Sequence, residues 1–214
     1  MKKLTFLAAV VFAVAFVSCK KNDSTTPSAS TTNNNSGPVT INSTPQFSGT
    51  INSVNYSFVN GASGYANGTA ANKQIGGSMA TQNYGEYQTY ITNGSNQPFF
   101  GIYKGTLTFP LSSNFPDSAS FDAFFPISTC SYSLNYSNGI EVEWIDGSGN
   151  FYSTSQGSGS QSGSTFKITA KQAGMIGGNY MVKIIATFNC TLYSSSGSPI
   201  ALTNGTYVGY FEND

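Results

Sequence analysis

Residues 180–193 alternate in a way only a strand accommodates. Tyr180, Val182, Ile184, Ala186, Phe188, Cys190 and Leu192 fall on one side, and Lys183, Thr187, Asn189 and Thr191 fall on the other. A period of two puts every second side chain on one face of an extended chain, whereas a helix needs a period near 3.6. From about Phe47 onward no segment keeps the helical period over helical length. Strands are predicted at 47–51, 55–59, 74–80, 87–92, 100–109, 118–125, 131–136, 140–146, 151–154, 165–170, 180–193 and 205–212, separated by short Gly, Asn, Ser and Pro clusters. The Asn-Gly-Thr triplets at 67–69 and 204–206 read as turn chemistry. So many short strands predict an all-β fold: one antiparallel β-sandwich or jelly-roll-like domain over residues 46–214, with a partly open β-barrel as the alternative.

Charge narrows the chemistry. Nine lysines balance nine acids, arginine and histidine are absent, and charged residues make up 8% of the chain, against about 25% in an average soluble protein. Histidine-dependent nucleophilic catalysis, histidine-ligated metals and arginine clamps are therefore excluded. Nucleic acid is not an expected partner, because binding it needs an excess of positive charge. No cofactor or metal is expected.

The N-terminus reads as an address. Lys2 and Lys3 precede an apolar run over residues 4–17, too short for a comfortable membrane span of about 20 residues. Val17-Ser18-Cys19 follows and resembles the bacterial lipobox. The opening Cys19-Lys20-Lys21-Asn22-Asp23 is similar to that of Bacteroidota lipoproteins. The resemblance implies a signal peptide over 1–18, acylation of Cys19 (palmitate among the chains) and an outer-membrane anchor, on the periplasmic or the extracellular face. Two or more acyl chains make such an anchor stable. Residues 19–45 then form a lipidated, disordered Ser/Thr/Asn/Pro tether, poor in the apolar surface that ordering requires. As a flexible coil it spans roughly 25–30 Å. The same resemblance marks Ser24 and Ser118, each following an aspartate, as O-glycosylation acceptors.

Cys130 and Cys190 both fall on apolar strand faces. An exported pair of this kind is expected to form a disulfide; two buried thiols packed as small hydrophobes are the alternative. Several catalytic lookalikes fail. Ser164 and Lys167 have the Ser-x-x-Lys spacing, but on a strand they point to opposite faces. Glu141 and Glu143 share a strand face about 7 Å apart, a spacing seen in inverting glycosidases and equally ordinary on a solvent-facing strand, where they are expected. Asp146, Ser148 and Asn150 imitate the start of a calcium loop, but Phe151 and Gly157 stand where that loop needs Gly and Glu. No catalytic residue is assigned.

Aromatic and amide side chains remain. Trp144, the sole tryptophan, shares a face with Ile140 and Val142 and is assigned to the core. Tyr65, Tyr84, Tyr87 and Tyr90, among Asn and Gln neighbours, are the candidate ligand-binding residues, since rings and amides bind hydroxyl-bearing surfaces without charge. The sequence thus leads one to expect a lipid-anchored, non-catalytic envelope or cell-surface protein holding a glycan, polymer or protein. A structural or adhesive component is the alternative, and a carboxylate-only glycosidase or lyase comes third.

Overall fold

The computed structural model describes residues 40–76, 80–94, 98–133 and 139–214. The signal peptide, Cys19 and Ser24 lie outside these residues. The element order is β1 (Gln46–Ile51), β2 (Val54–Val59), β3 (Ala66–Gln74), β4 (Asn83–Thr92), β5 (Phe99–Phe109), α1 (Ser118–Ala123), β6 (Thr129–Cys130), β7 (Gly139–Ile145), β8 (Phe151–Ser153), β9 (Thr165–Ile176), β10 (Asn179–Ser194) and β11 (Pro199–Asn213). All of these strands join one sheet in the order β2-β1-β11-β10-β8-β7-β5-β4-β3, and β9 branches from β10 and carries β6. The ladders are antiparallel and the sheet curls into a half-barrel. The fold is all-β, and of the two architectures expected, the partly open barrel is the one formed.

The curl brings the β3 edge back alongside β11. Thr69 Oγ1 donates to Glu212 Oε2 at 2.6 Å, and the buried Thr89 and Tyr207 hydroxyls meet at 3.0 Å across the interior. Side chains, rather than a backbone ladder, close this seam. Within, Phe47 stacks on Phe100 at 3.7 Å between ring centroids, and Phe166 on Phe188 at 5.3 Å. Large rings fit on so curved a sheet because glycines leave them floor space. A methyl group on Gly205 would lie 2.6 Å from the Phe188 ring opposite it. Outside the barrel, Gly68 accommodates Tyr90 and Gly101 accommodates Phe99 in the same manner.

Three strand expectations change. Residues 118–125 hold a helix: Asp117 caps it, accepting from Ser120 N at 2.8 Å, and Phe121, Phe124 and Phe125 then recur at helical spacing. Strand β3 runs through the Asn67-Gly68-Thr69 triplet read as a turn and ends at Gln74, where a strand over 74–80 was expected to begin; Gly77–Met79 lie outside the described residues. In place of a strand over 131–136 there is the short β6 and an isolated bridge from Tyr132 to Ile140. Leu134 and Tyr136 lie outside the described residues.

The start of the domain also shifts. Ile41, assigned to the tether, is buried on the outer face: its N–H donates to Gln172 Oε1 at 2.7 Å and its carbonyl accepts from Lys183 Nζ at 2.9 Å. Those two partners are paired across β9 and β10. The incoming chain is thereby clasped to the sheet before β1 begins.

Candidate binding cleft at the open mouth

The two ends of the half-barrel differ. One is filled by α1, whose Phe121 and Phe125 are fully buried against Tyr87 and Phe211. Among the described residues nothing fills the other, and a cavity of about 300 Å³ lies there on the inner face, between the β1–β2 hairpin and the β7–β8 hairpin.

Each wall follows from local chemistry. Ile51 pairs with Val54 around the two-residue turn Asn52-Ser53, both with positive φ (46° and 66°), as a type I′ hairpin requires. The next inward residue after Val54 is Tyr56. Across the mouth, Trp144 and Tyr152 are cross-strand partners, stacked at 5.2 Å with an interplanar angle of 29°. Tyr56 meets Trp144 edge-on at 5.4 Å and 63°. Trp144 is 5% exposed and forms the floor, while Tyr56 and Tyr152 are half-buried walls. Val54, 52% exposed, stands at the lip with Ile200.

The polar lining comes from the two turns. Asp146 closes the β7–β8 hairpin: its Oδ1 accepts from Ser148 N (2.8 Å) and Asn150 N (2.9 Å), and its Oδ2 from Asn150 Nδ2 (2.8 Å). Slight burial works to raise this carboxyl, but the hydrogen bonds from the Asn150 side chain and from the Asn150, Ser148 and Gly149 backbone outweigh it and hold Asp146 below the usual carboxylate range. Asn52 and Ser148 add hydroxyl and amide groups that both donate and accept.

The four tyrosines named from sequence are not brought together. Tyr87 is fully buried beneath α1, and burial, with Asp214 adding to it, pushes its phenol well above the ordinary value. Tyr65 stacks on Phe58 at 4.7 Å, and Tyr90 packs on Phe99 at 5.4 Å on the outer face. Only Tyr84, 38% exposed, stands clear of the surface. The alternation of β4, in which residues 83, 85, 87, 89 and 91 are all buried, turns the Tyr87 ring inward.

The carboxylate pair is also placed differently. Glu141 and Glu143 are 2% and 7% exposed, because the outer face of β7 is covered where solvent was expected. Ser153 Oγ donates to Glu141 Oε1 at 2.6 Å, and Ser155 Oγ donates to the same oxygen. Burial first and the neighbouring Glu141 second, against a hydrogen bond from Tyr103 that works the other way, push the Glu143 carboxyl up to about 7. Both glutamates lie on the opposite face of β7 from Trp144 and line neither this cleft nor the groove at the plugged end. Among the described residues no group of three acids or thiols converges as a metal site.

Cys130 and Cys190 are buried free thiols in place of the expected disulfide. Cys130 pairs with Phe166 on β9, and Phe166 pairs with Phe188 on β10, so a whole strand separates the cysteines. Two ladder spacings of about 4.8 Å put their Cα atoms roughly 10 Å apart or more, beyond the reach of a disulfide. Burial pushes the Cys190 thiol up to about 12. Ser118 is exposed at the first turn of α1.

The cleft was missed because its lining comes from distant stretches, at positions 51–56, 144–152 and 200. One signal was present: the Asp146–Asn150 turn makes Trp144 and Tyr152 neighbours. The plugged end has a larger surface groove of about 590 Å³ lined by Phe115, Met175 and Tyr180, with the carboxylates Asp117 and Asp214 beside them. Compared with known protein families, curated proteins and solved structures, the chain matches none.

Proposed function

We propose that this is a lipid-anchored, non-catalytic protein of the bacterial outer membrane or cell surface, binding a glycan in the cleft at the open mouth. The observation that carries the reading is the convergence of Tyr56, Trp144 and Tyr152 on one small cavity with a polar rim. Barrel mouths are favoured ligand sites, and apolar ring faces beside a few directional polar groups suit sugars. The acid at the rim, Asp146, takes three hydrogen bonds from its own turn, which hold it below the usual carboxylate range and leave it unsuited to pass protons.

The placement of the chain's entry supports the same reading. Ile41 is clasped at Lys183, and the cleft's Ile200 pairs with Leu192 further along β10. Nine residues at about 3.3 Å each separate these levels by roughly 30 Å. A domain tethered through Cys19 thus holds its cleft away from the point where the tether arrives.

Trp144 is the sole tryptophan and sits in the cleft floor, so it reports binding directly. Titrating the full mature chain in detergent with soluble polysaccharides is expected to give a saturable change in tryptophan emission for at least one of them. Tyr56→Ala is expected to weaken that binding about tenfold. A flat response to every glycan, with an empty glycan array, would overturn the reading.

A further inference from the structure

We infer that the cleft selects an uncharged sugar ring and that Asp146 is the residue that rejects anionic ones; this rests on the glycan reading above. Among the described residues lining the cleft, Asp146 carries the only charge, and no lysine stands there to neutralise an incoming carboxylate, sulfate or phosphate. An anion placed beside Asp146 would lose water and gain a like charge, which is how sites reject the wrong ligand.

The same carboxylate welcomes a hydroxyl. An ionised carboxylate offers about four acceptor positions, and the turn uses two on Oδ1 and one on Oδ2. Acceptor capacity is left on Oδ2 for a donor from the ligand. Asn52 and Ser148 supply both donors and acceptors at the rim, a match for sugar hydroxyls, which also do both. The half-buried rings of Tyr56 and Tyr152 complete the site with surfaces for the apolar face of a pyranose. At about 300 Å³ the cavity is at the low end of ligand pockets, which run to about 1,000 Å³. It therefore takes one or two rings at a chain end, not an extended segment.

The test uses the full mature chain in detergent and the Trp144 signal. Neutral gluco-, manno- and galacto-configured di- and trisaccharides are titrated beside the uronic-acid sugars of the same configuration. At least one neutral series is expected to bind, with its uronate counterpart about tenfold weaker or worse. Asp146→Asn, which keeps an oxygen to close the turn, is expected to bring the two within about threefold of each other. Salt at about 1 M, where the screening length falls to roughly 3 Å, is expected to narrow the gap in the unaltered chain and serves if the variant fails to fold. Uronates binding as well as neutral sugars, or a gap that survives both the substitution and salt, would overturn this inference and leave the glycan reading standing. Silence from both classes of sugar would remove the glycan reading and this inference with it.

Discussion

The two ends of the half-barrel begin from the same material, a row of inward-facing rings, and finish it differently. At the closed end α1 supplies Phe121 and Phe125, which meet Tyr87, Tyr180 and Phe211 at 4.5–6.4 Å between centroids. Lys171 fastens the helix, its Nζ donating to the Asp122 carbonyl at 2.8 Å and pairing with Asp122 Oδ2 at 3.0 Å. At the other end no described element covers Tyr56, Trp144 and Tyr152 in this way, and a cavity lies between the half-buried tyrosines over the Trp144 floor. Rings at a barrel end are stability when capped and, on the function proposed above, a binding surface when left bare.

Removing the cap is the strongest way to break this contrast. Phe121→Ala empties a fully buried site and is expected to cost about 3–5 kcal/mol by chemical denaturation, while glycan-induced change in Trp144 emission persists wherever the protein remains folded. Loss of binding in step with stability would mean that the ends are one unit.

A smaller effect separates the wall from both ends. The folded Glu143 carboxyl is raised from an ordinary 4.5 to about 7, so the folded protein keeps a proton that the unfolded chain releases. Its stabilising contribution is complete below about pH 4.5 and is lost as pH rises through about 7. Between about pH 5 and 8 the domain is expected to lose on the order of 2 kcal/mol, and Glu143→Gln is expected to remove most of that slope. Glu86 and Asp214, which burial pushes the same way, account for a remainder. A wild-type stability that rises over this range would contradict the buried position of Glu143.

The smallest expected effect concerns the thiols. A disulfide closing so long a loop would contribute about 4 kcal/mol; with Cys130 and Cys190 free, reductant is expected to leave the unfolding midpoint unchanged. A clear fall on reduction would show that the cysteines are bridged.

Much of the sheet was legible because alternation is a local property. Strands β1, β2, β7, β8 and β10 and the turn at Asp146 could be read residue by residue, whereas β11 starts at Pro199 and runs through the Asn204-Gly205-Thr206 triplet read as a turn. Alternation sorts side chains onto two faces but does not say whether the second face is wet, so Glu141 and Glu143 were expected in solvent. The short α1 was missed because Phe121, Phe124 and Phe125 stand in a Phe-rich stretch that also suits a strand. Strand β3 has no bulky residue to announce it and takes its order from β4. The cleft depends on register between strands far apart in the chain, which no local pattern contains.

The pairing of rings with glycines has a consequence for how this sequence can vary. Gly205 and Phe188 share one volume across two strands, as do Gly68 and Tyr90. Neither partner can be enlarged alone, and shrinking the ring alone leaves a void. Such positions are free to drift only in step, so the abundant glycine and aromatic residues of this chain behave as one linked alphabet.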